Sequence, residues 1–330
     1  MIITRTPFRI SFFGGGTDFP VWYRENGGAV LSTSIDKYCY VSLRKLPPFF
    51  DCKHKIVFFS KQEAFNGLDE IEHPAVRETY RFMDVQDGLV MQHDGDLPSH
   101  SGLGSSSAFT VGLLHALYAL RGKMVSKKRL AMEAIHIEQH MIGEAVGSQD
   151  QTASAFGGLN KIVFSAQNTI EVRPFVITAE KSAYLQSCLM LFFTGFARFA
   201  VEIEQDKLRQ LDKKKHELSL MMSIVDAAAD ILDGDLSGYD DFGVLLHESW
   251  LLKKRLSKKV STNVIDEIYA KGLNSGALGG KILGAGGGGF ILFFVRPEDR
   301  ERLREGLSPL LYVPFRFDSL GSQVIYFTEE

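Results

Sequence analysis

Cysteine is scarce in this chain: Cys39, Cys52 and Cys188 are three in all, far apart and odd in number. Their spacing argues against a disulfide framework and against a thiolate zinc site. An excess of charge of one sign is missing too. The 37 basic residues stand against 40 acidic ones, a formal net charge of −3, so no net field draws the chain to nucleic acid or to an anionic membrane. A small anionic substrate would instead need a local basic site. No apolar run approaches the roughly 20 residues that cross a bilayer, and the opening Met1–Pro7 segment lacks the apolar core of a signal peptide. The expected location is the cytoplasm. Repeats and low-complexity tracts are absent. What the chain does have is 330 residues at 45% hydrophobic composition, enough for a full core and two domains, and 31 glycines, many of them clustered.

Strand patterns fill the first part, at Ile2–Phe13, Ala29–Leu43 and Lys55–Phe59. Helical spacing follows at 75–82, 106–121 and 127–143, with a strand near 88–93. A closing strand at 161–164 places a boundary between a domain of residues 1–165 and one of 166–330. The second half reads as strands at 170–175 and 188–193, a long helix over 198–232, helices at 239–256, 263–271 and 297–306, and strands at 279–283, 290–295, 312–317 and 323–327. The fold class expected is α+β.

The most informative stretch runs from Pro98 to Ala108, where a glycine and serine loop joins directly to an apolar helix. Gly102 and Gly104 let the backbone turn, Leu103 lies between them, Ser105, Ser106 and Ser107 add hydroxyls, and the helix dipole points into the same space. This predicts a phosphate cradle; the alternative is an ordinary serine-capped helix. Two nucleotide motifs fail on their context. Gly280-Lys281 and Gly122-Lys123 are not followed by the Ser or Thr of a Walker loop. The Gly-x-Gly-x-x-Gly at Gly284, Gly286 and Gly289 runs into a buried strand pattern, whereas a dinucleotide fold needs a helix there. Six residues with five glycines, Gly284 to Gly289, are costly to order, which predicts close approach to a ligand or another backbone.

Arg9 sits among apolar neighbours in the first strand, so if it points inward it needs a carboxylate or a phosphate. Asp150, expected in a polar loop, is the candidate partner, since a carboxylate beside an arginine stays ionised and can take a proton from a hydroxyl. His136 and His140 share a helical face, but Glu138 stands two residues after His136, which is not the order of a zinc protease; solvated histidines are expected.

Taken together these loops resemble the GHMP kinases. The first motif is Pro7 to Phe19, with its arginine, glycines and Thr17-Asp18; the second is Gly102 to Ala108; the third is Lys281 to Gly289. Glu138 stands to Asp150 as the family's magnesium-binding glutamate stands to its catalytic aspartate. The resemblance implies a two-domain fold with a ribosomal S5 domain 2-like N-terminal domain, a ferredoxin-like C-terminal domain and an active site in the cleft between them. It implies ATP and Mg2+, with the amides of Gly102 to Ser107 around the β and γ phosphates and Ser106 and Glu138 on the metal. Asp150 would be the base and Arg9 the stabiliser of the transferring group. Asp18, Gly15, Gly16, Gly286 and Gly287 would face the acceptor. Where galactokinases carry Glu-His this chain has Gly15-Gly16. Residues 11–20, 35–38 and 194–199 are most similar to the members that phosphorylate the anomeric hydroxyl of D-glycero-D-manno-heptose 7-phosphate, with Arg198 or Lys37 expected on the sugar's phosphate. The alternatives are a galactokinase- or fucokinase-like enzyme of an unphosphorylated sugar and a catalytically silent ligand sensor.

Overall fold

A computed structural model of the chain describes residues 1–58, 61–99, 101–167, 169–195 and 200–328. The opening strand β1 (Ile2–Phe13) alternates buried and half-buried residues only over its first four positions; from Thr6 onward every residue is buried. A strand covered on both faces has no room for an unpaired charge, which is the condition Arg9 must meet. Helix α1 (Pro20–Asn26) starts with proline in its first turn, where the missing N–H is not needed, and leads into β2 (Gly28–Lys45).

Next come β3 (His54–Phe58), β4 (Lys61–Phe65), α2 (Pro74–Phe82) and β5 (Leu89–Gly95), then three helices, α3 (Ser105–Leu120), α4 (Lys127–His136) and α5 (Gln149–Phe156). Strands β6 (Leu159–Phe164) and β7 (Ile170–Pro174) follow. The rest comprises α6 (Ala179–Ser187), β8 (Leu189–Phe193), α7 (Ala200–Gln210), α8 (Lys215–Asp233), α9 (Tyr239–Leu256), α10 (Asn263–Asn274), β9 (Ala277–Ile282), β10 (Phe290–Val295), α11 (Arg300–Gly306), β11 (Leu311–Tyr312), β12 (Phe317–Asp318) and β13 (Gln323–Phe327).

Two sheets result. The larger runs β13-β1-β2-β5-β3-β4, with β6, β7 and β12 joined through β2 and β6; the smaller is β11-β8-β10-β9. Almost all pairings are antiparallel, and β3 with β5 is parallel. The larger sheet continues past residue 165, because β7 pairs with β6 from Phe164↔Ile170 to Asn160↔Pro174. Strands β12 and β13 return to β2 and β1. The 165/166 division therefore falls inside a hairpin, and the last strands of the chain complete its first sheet. A continuous apolar core links the two sheets: the Phe242 ring of α9 meets Phe12 and Phe13 of β1 edge-on at 5.4 and 4.9 Å.

Several elements differ from the sequence expectation. The 127–143 helix is α-helical only to His136 and continues as a π-helical turn, Ile137–Ile142. The 198–232 pattern divides into α7, a 3-10 turn at Leu211–Lys214, and α8. Apolar spacing does not register such local changes of pitch. The 312–317 strand is two separate short pairings. Asp150 lies in the first turn of α5 and not in a loop. That helix buries small residues, Thr152, Ala153, Ser154 and Ala155, so it shows no stripe of large apolar side chains to betray it.

Candidate active site

The chain enters α3 through two left-handed residues, Gly102 at φ 86° and Gly104 at φ 77°. Gly104 is the residue that caps the helix, without a side-chain cap bond; the serine-capped alternative is thus excluded, and Ser105, Ser106 and Ser107 form the first turn with their amides toward the loop. A Cβ at Gly104 would stand 3.2 Å from Arg9 Cγ and 3.4 Å from Asp150 Oδ2. The glycine lets the loop close over that pair.

Arg9 and Asp150 come together across 141 residues of sequence. Arg9 Nε donates to Asp150 Oδ1 at 2.7 Å and Nη2 to Oδ2 at 2.6 Å, while Nη1 donates to Gly102 O at 2.8 Å. One guanidinium thus fixes the carboxylate in a bidentate fork and holds the Gly102 loop. Its side chain is 4% exposed and that of Asp150 26%, so the pair has one open side. That side is a cleft of about 190 Å³ lined by Arg9, Asp150, Gly102, Gly104 and Ser105–Ser107, and on its other walls by Gly15, Gly16, Asp18, Glu138, Gln149, Lys253, Lys281, Gly284 and Ala285.

The second glycine loop lies directly on the first. A Cβ at Gly284 would fall 2.4 Å from Gly102 Cα, and one at Gly289 2.3 Å from Ser101 O; Phe290 N donates to Ser101 O at 3.2 Å. Backbone against backbone is the close approach these glycines serve. Gly286 and Gly287 are turned to Val260, whose carbonyl accepts from Gly287 N at 2.8 Å, and it is Gly284 and Ala285 that line the cleft. Strand β9 adds Lys281, whose Nζ donates to Phe12 O at 2.7 Å. Lys253 of α9 donates to Ile282 O and Gly284 O at 2.7 and 2.6 Å. Lys281 opens the third motif but has no role of its own in the sequence reading, and Lys253 is not anticipated at all, because a lone lysine in a helix pattern gives no signal.

Glu138 sits in the π-helical turn and is 1% exposed. Burial pushes its carboxyl up to about 7 against the pull of the nearby Thr110 hydroxyl and of hydrogen bonds from Gln151 and Ser107. Ser107 Oγ donates to Oε2 at 2.9 Å and Gln151 Nε2 donates to the same oxygen, whereas Oε1 is buried with no hydrogen-bond partner. An orphaned carboxylate oxygen on a cleft wall, its twin saturated, fits a divalent cation. Ser107 is the serine bonded to Glu138; Ser106 is exposed at the cleft. His136 and His140 are both exposed.

Asp18 closes the far wall, 1% exposed. Its Oδ1 accepts from Gly16 N at 2.9 Å and its Oδ2 from Gln149 N at 3.3 Å. Burial, with lesser repulsion from Asp150, pushes its carboxyl from 3.8 up to about 6 although both amides pull it down. The folded protein holds this proton through a range, about pH 4 to 6, where the unfolded chain has lost it. Stability therefore falls as pH rises through that window and stays lower above it, by on the order of 3 kcal/mol for this one group. Thermal unfolding followed from pH 4 to 8 checks this: Asp18→Asn should flatten the wild-type slope between pH 4 and 6, and an unchanged slope would remove Asp18 as its source. Lys37, in contrast, stands outside the cleft lining, paired with Asp36 at 3.4 Å. Arg198 lies outside the described residues.

The chain matches models of known families and known proteins. Residues 71–158 match the GHMP kinases N terminal domain and residues 228–311 the GHMP kinases C terminal domain. The chain is 32% identical over 322 residues to the D-glycero-alpha-D-manno-heptose 7-phosphate kinase of Campylobacter jejuni, covering 93% of each. It is 24% identical to the galactokinase of Thermococcus kodakarensis, covering 92% of each. The fold superposes with a TM-score of 0.78, at 23% identity and over the whole of both chains, on a D-glycero-D-manno-heptose 1-phosphate kinase from Bacteroides thetaiotaomicron. With both halves matched, and the glycine loops, Arg9, Asp150 and Glu138 converging on one cleft, the chain belongs to the GHMP kinase family of ATP-dependent kinases.

Proposed function

We propose that this kinase transfers the γ-phosphoryl group of ATP to the anomeric hydroxyl of a sugar phosphate, with D-glycero-D-manno-heptose 7-phosphate the leading candidate. The observation that carries the reading is the bidentate Arg9–Asp150 pair at the mouth of the phosphate loop, with the buried acceptor Asp18 across the same cleft. Amides of Gly102 to Ser107 cradle the β and γ phosphates. Asp150 keeps lone pairs outside its fork with Arg9, since an ionised carboxylate has about four acceptor sites and the guanidinium uses two. Those remaining sites accept the hydrogen bond of the sugar hydroxyl, orient its oxygen and receive its proton. In a loose phosphoryl-transfer transition state, such orientation and charge placement supply most of the rate. Glu138 Oε1 and Ser106 would hold Mg2+, which neutralises phosphate charge when bound.

The adenine is placed beyond Ser105 and Ser106, in an aromatic pocket of about 80 Å³. Phe58 and His73 stack there at 4.6 Å, and His93 and Phe109 meet edge-on at 4.9 Å; such faces suit a planar base. The resemblance to a heptose 7-phosphate kinase at 32% identity supports the acceptor. Gly15 leaves room on that side, where a Cβ would come no nearer than 3.6 Å to its neighbours, while a Cβ at Gly16 would meet Leu218 at 3.2 Å.

A second reading, an unphosphorylated sugar as acceptor, is favoured by one observation. Among the described residues lining the cleft the cations are Arg9, Lys253 and Lys281, and each is bonded within the protein. A screen of ADP release over galactose, fucose, D-glycero-D-manno-heptose and the heptose 7-phosphate separates the readings. The 7-phosphate should turn over at least about tenfold better in kcat/KM than the free heptose, the worth of one charge-assisted contact. Equal or better turnover of a free sugar would replace the first reading by the second, and ATP binding without turnover on any sugar would leave a silent sensor.

A further inference from the structure

The first turn of α5 brings three consecutive side chains to the site, and one of them has been given no role in the reaction. Asp150 meets Arg9, and Gln151 meets Glu138. Gln149, the first residue of the helix, faces the acceptor side. Its Oε1 accepts from Ser11 Oγ of β1 at 2.7 Å. Its Nε2 lies where a Cβ at Gly15 would come within 3.6 Å, and the residue lines the cleft together with Gly15 and Asp18. The backbone amide of the same Gln149 donates to Asp18 Oδ2.

We propose that Gln149 is a specificity-determining residue for the acceptor: its carboxamide, pinned by Ser11, presents Nε2 as a hydrogen-bond donor beside the Asp18 acceptor, so that the two together read neighbouring hydroxyls of the sugar. The inference rests on the sugar-kinase reading. With its oxygen turned to Ser11, the carboxamide offers its two N–H groups on the other side. With Ser11 holding the side chain in one rotamer, little entropy is lost when the sugar binds. Gly15 is part of the device, because a Cβ there would stand in ordinary contact with Nε2 at 3.6 Å and a longer side chain would occupy the approach to it. A donor and an acceptor side by side match a vicinal diol, whose one hydroxyl gives a hydrogen and the other takes one; a substrate lacking either leaves a polar group covered by the sugar unpaired.

The test uses the full-length enzyme with the best acceptor from the four-sugar screen, and with its deoxy analogues. Wild-type turnover on at least one sugar is the condition set by the earlier reading; its absence fails that reading, not this one. Given turnover, Gln149→Met and Gln149→Glu should each lower kcat/KM for the sugar by about tenfold to a hundredfold, chiefly through KM. The Kd of ATP measured without sugar should stay within about twofold of wild type. Gln149→Glu keeps the length and the acceptor for Ser11 but removes the donor, so it separates a contact from a packing role. One deoxy analogue should lose its disadvantage in the Gln149→Met enzyme, because the missing hydroxyl is the one Gln149 reads. A sugar KM within about twofold of wild type in Gln149→Glu, or an equal loss of ATP and sugar affinity in Gln149→Met, would overturn the proposal.

Discussion

Asp150→Asn should reduce turnover by about a hundredfold to ten-thousandfold, the range that proton-accepting side chains supply. The change is isosteric but not neutral in its effect on Arg9. The guanidinium offers N–H groups to both carboxylate oxygens at 2.7 and 2.6 Å, and an asparagine amide puts an NH2 group opposite one of them in either orientation. One bond of the fork is lost and two donors face each other. Gly102 O still accepts from Nη1, so the loop proposed to hold the phosphates keeps its anchor. ATP affinity should therefore change by no more than a few-fold, which equilibrium titration of the variant will measure beside kcat. Full turnover by this variant would exclude Asp150 from the reaction, whereas a large loss of ATP affinity would show that the fork holds the loop more than it serves the acceptor.

Much of this cleft is legible in the sequence because its parts are made of backbone. Glycines at 102, 104, 284 and 286 to 289 announce tight turns and close approach, and the contacts of Gly284 with Gly102 and of Gly289 with Ser101 supply both. Arg9 is legible for a different reason: a guanidinium in an otherwise apolar strand demands a partner. What the sequence hides is the contribution of helices built from small or polar residues. Helix α5 carries Gln149, Asp150 and Gln151 in consecutive positions, yet its buried residues are glutamine, threonine, alanine and serine, without the large apolar residues that mark a helix. The π-helical turn that carries Glu138 is likewise invisible to a period of 3.6 residues. Lys37 misled because a lysine's partner cannot be read from its position, and Asp36 next to it was that partner.

Arg9→Met should be the most damaging single substitution for folding and activity together. It leaves Asp150 without its fork and Gly102 O without a donor, and breaking a buried pair by removing one member costs about 3–5 kcal/mol. The open side of Asp150 toward the cleft lets water reach the carboxylate, so the lower end, about 3 kcal/mol, is expected in denaturant unfolding. Arg9→Lys should recover little, because an ammonium is a point donor and cannot make the two parallel bonds of the fork. The double variant Arg9→Met/Asp150→Asn distinguishes two roles for Arg9, positioning Asp150 through the fork and stabilising the transferring group as the family resemblance implies. If the arginine acts by positioning Asp150, the two losses in kcat overlap, and the double variant is little slower than the slower single one, as for residues that act as a unit. Its unfolding free energy should also lie above that of Arg9→Met alone, since no unpaired carboxylate remains. If the losses in kcat multiply instead, Arg9 contributes separately to the charge on the transferring phosphoryl group through the two N–H groups that its three hydrogen bonds leave over.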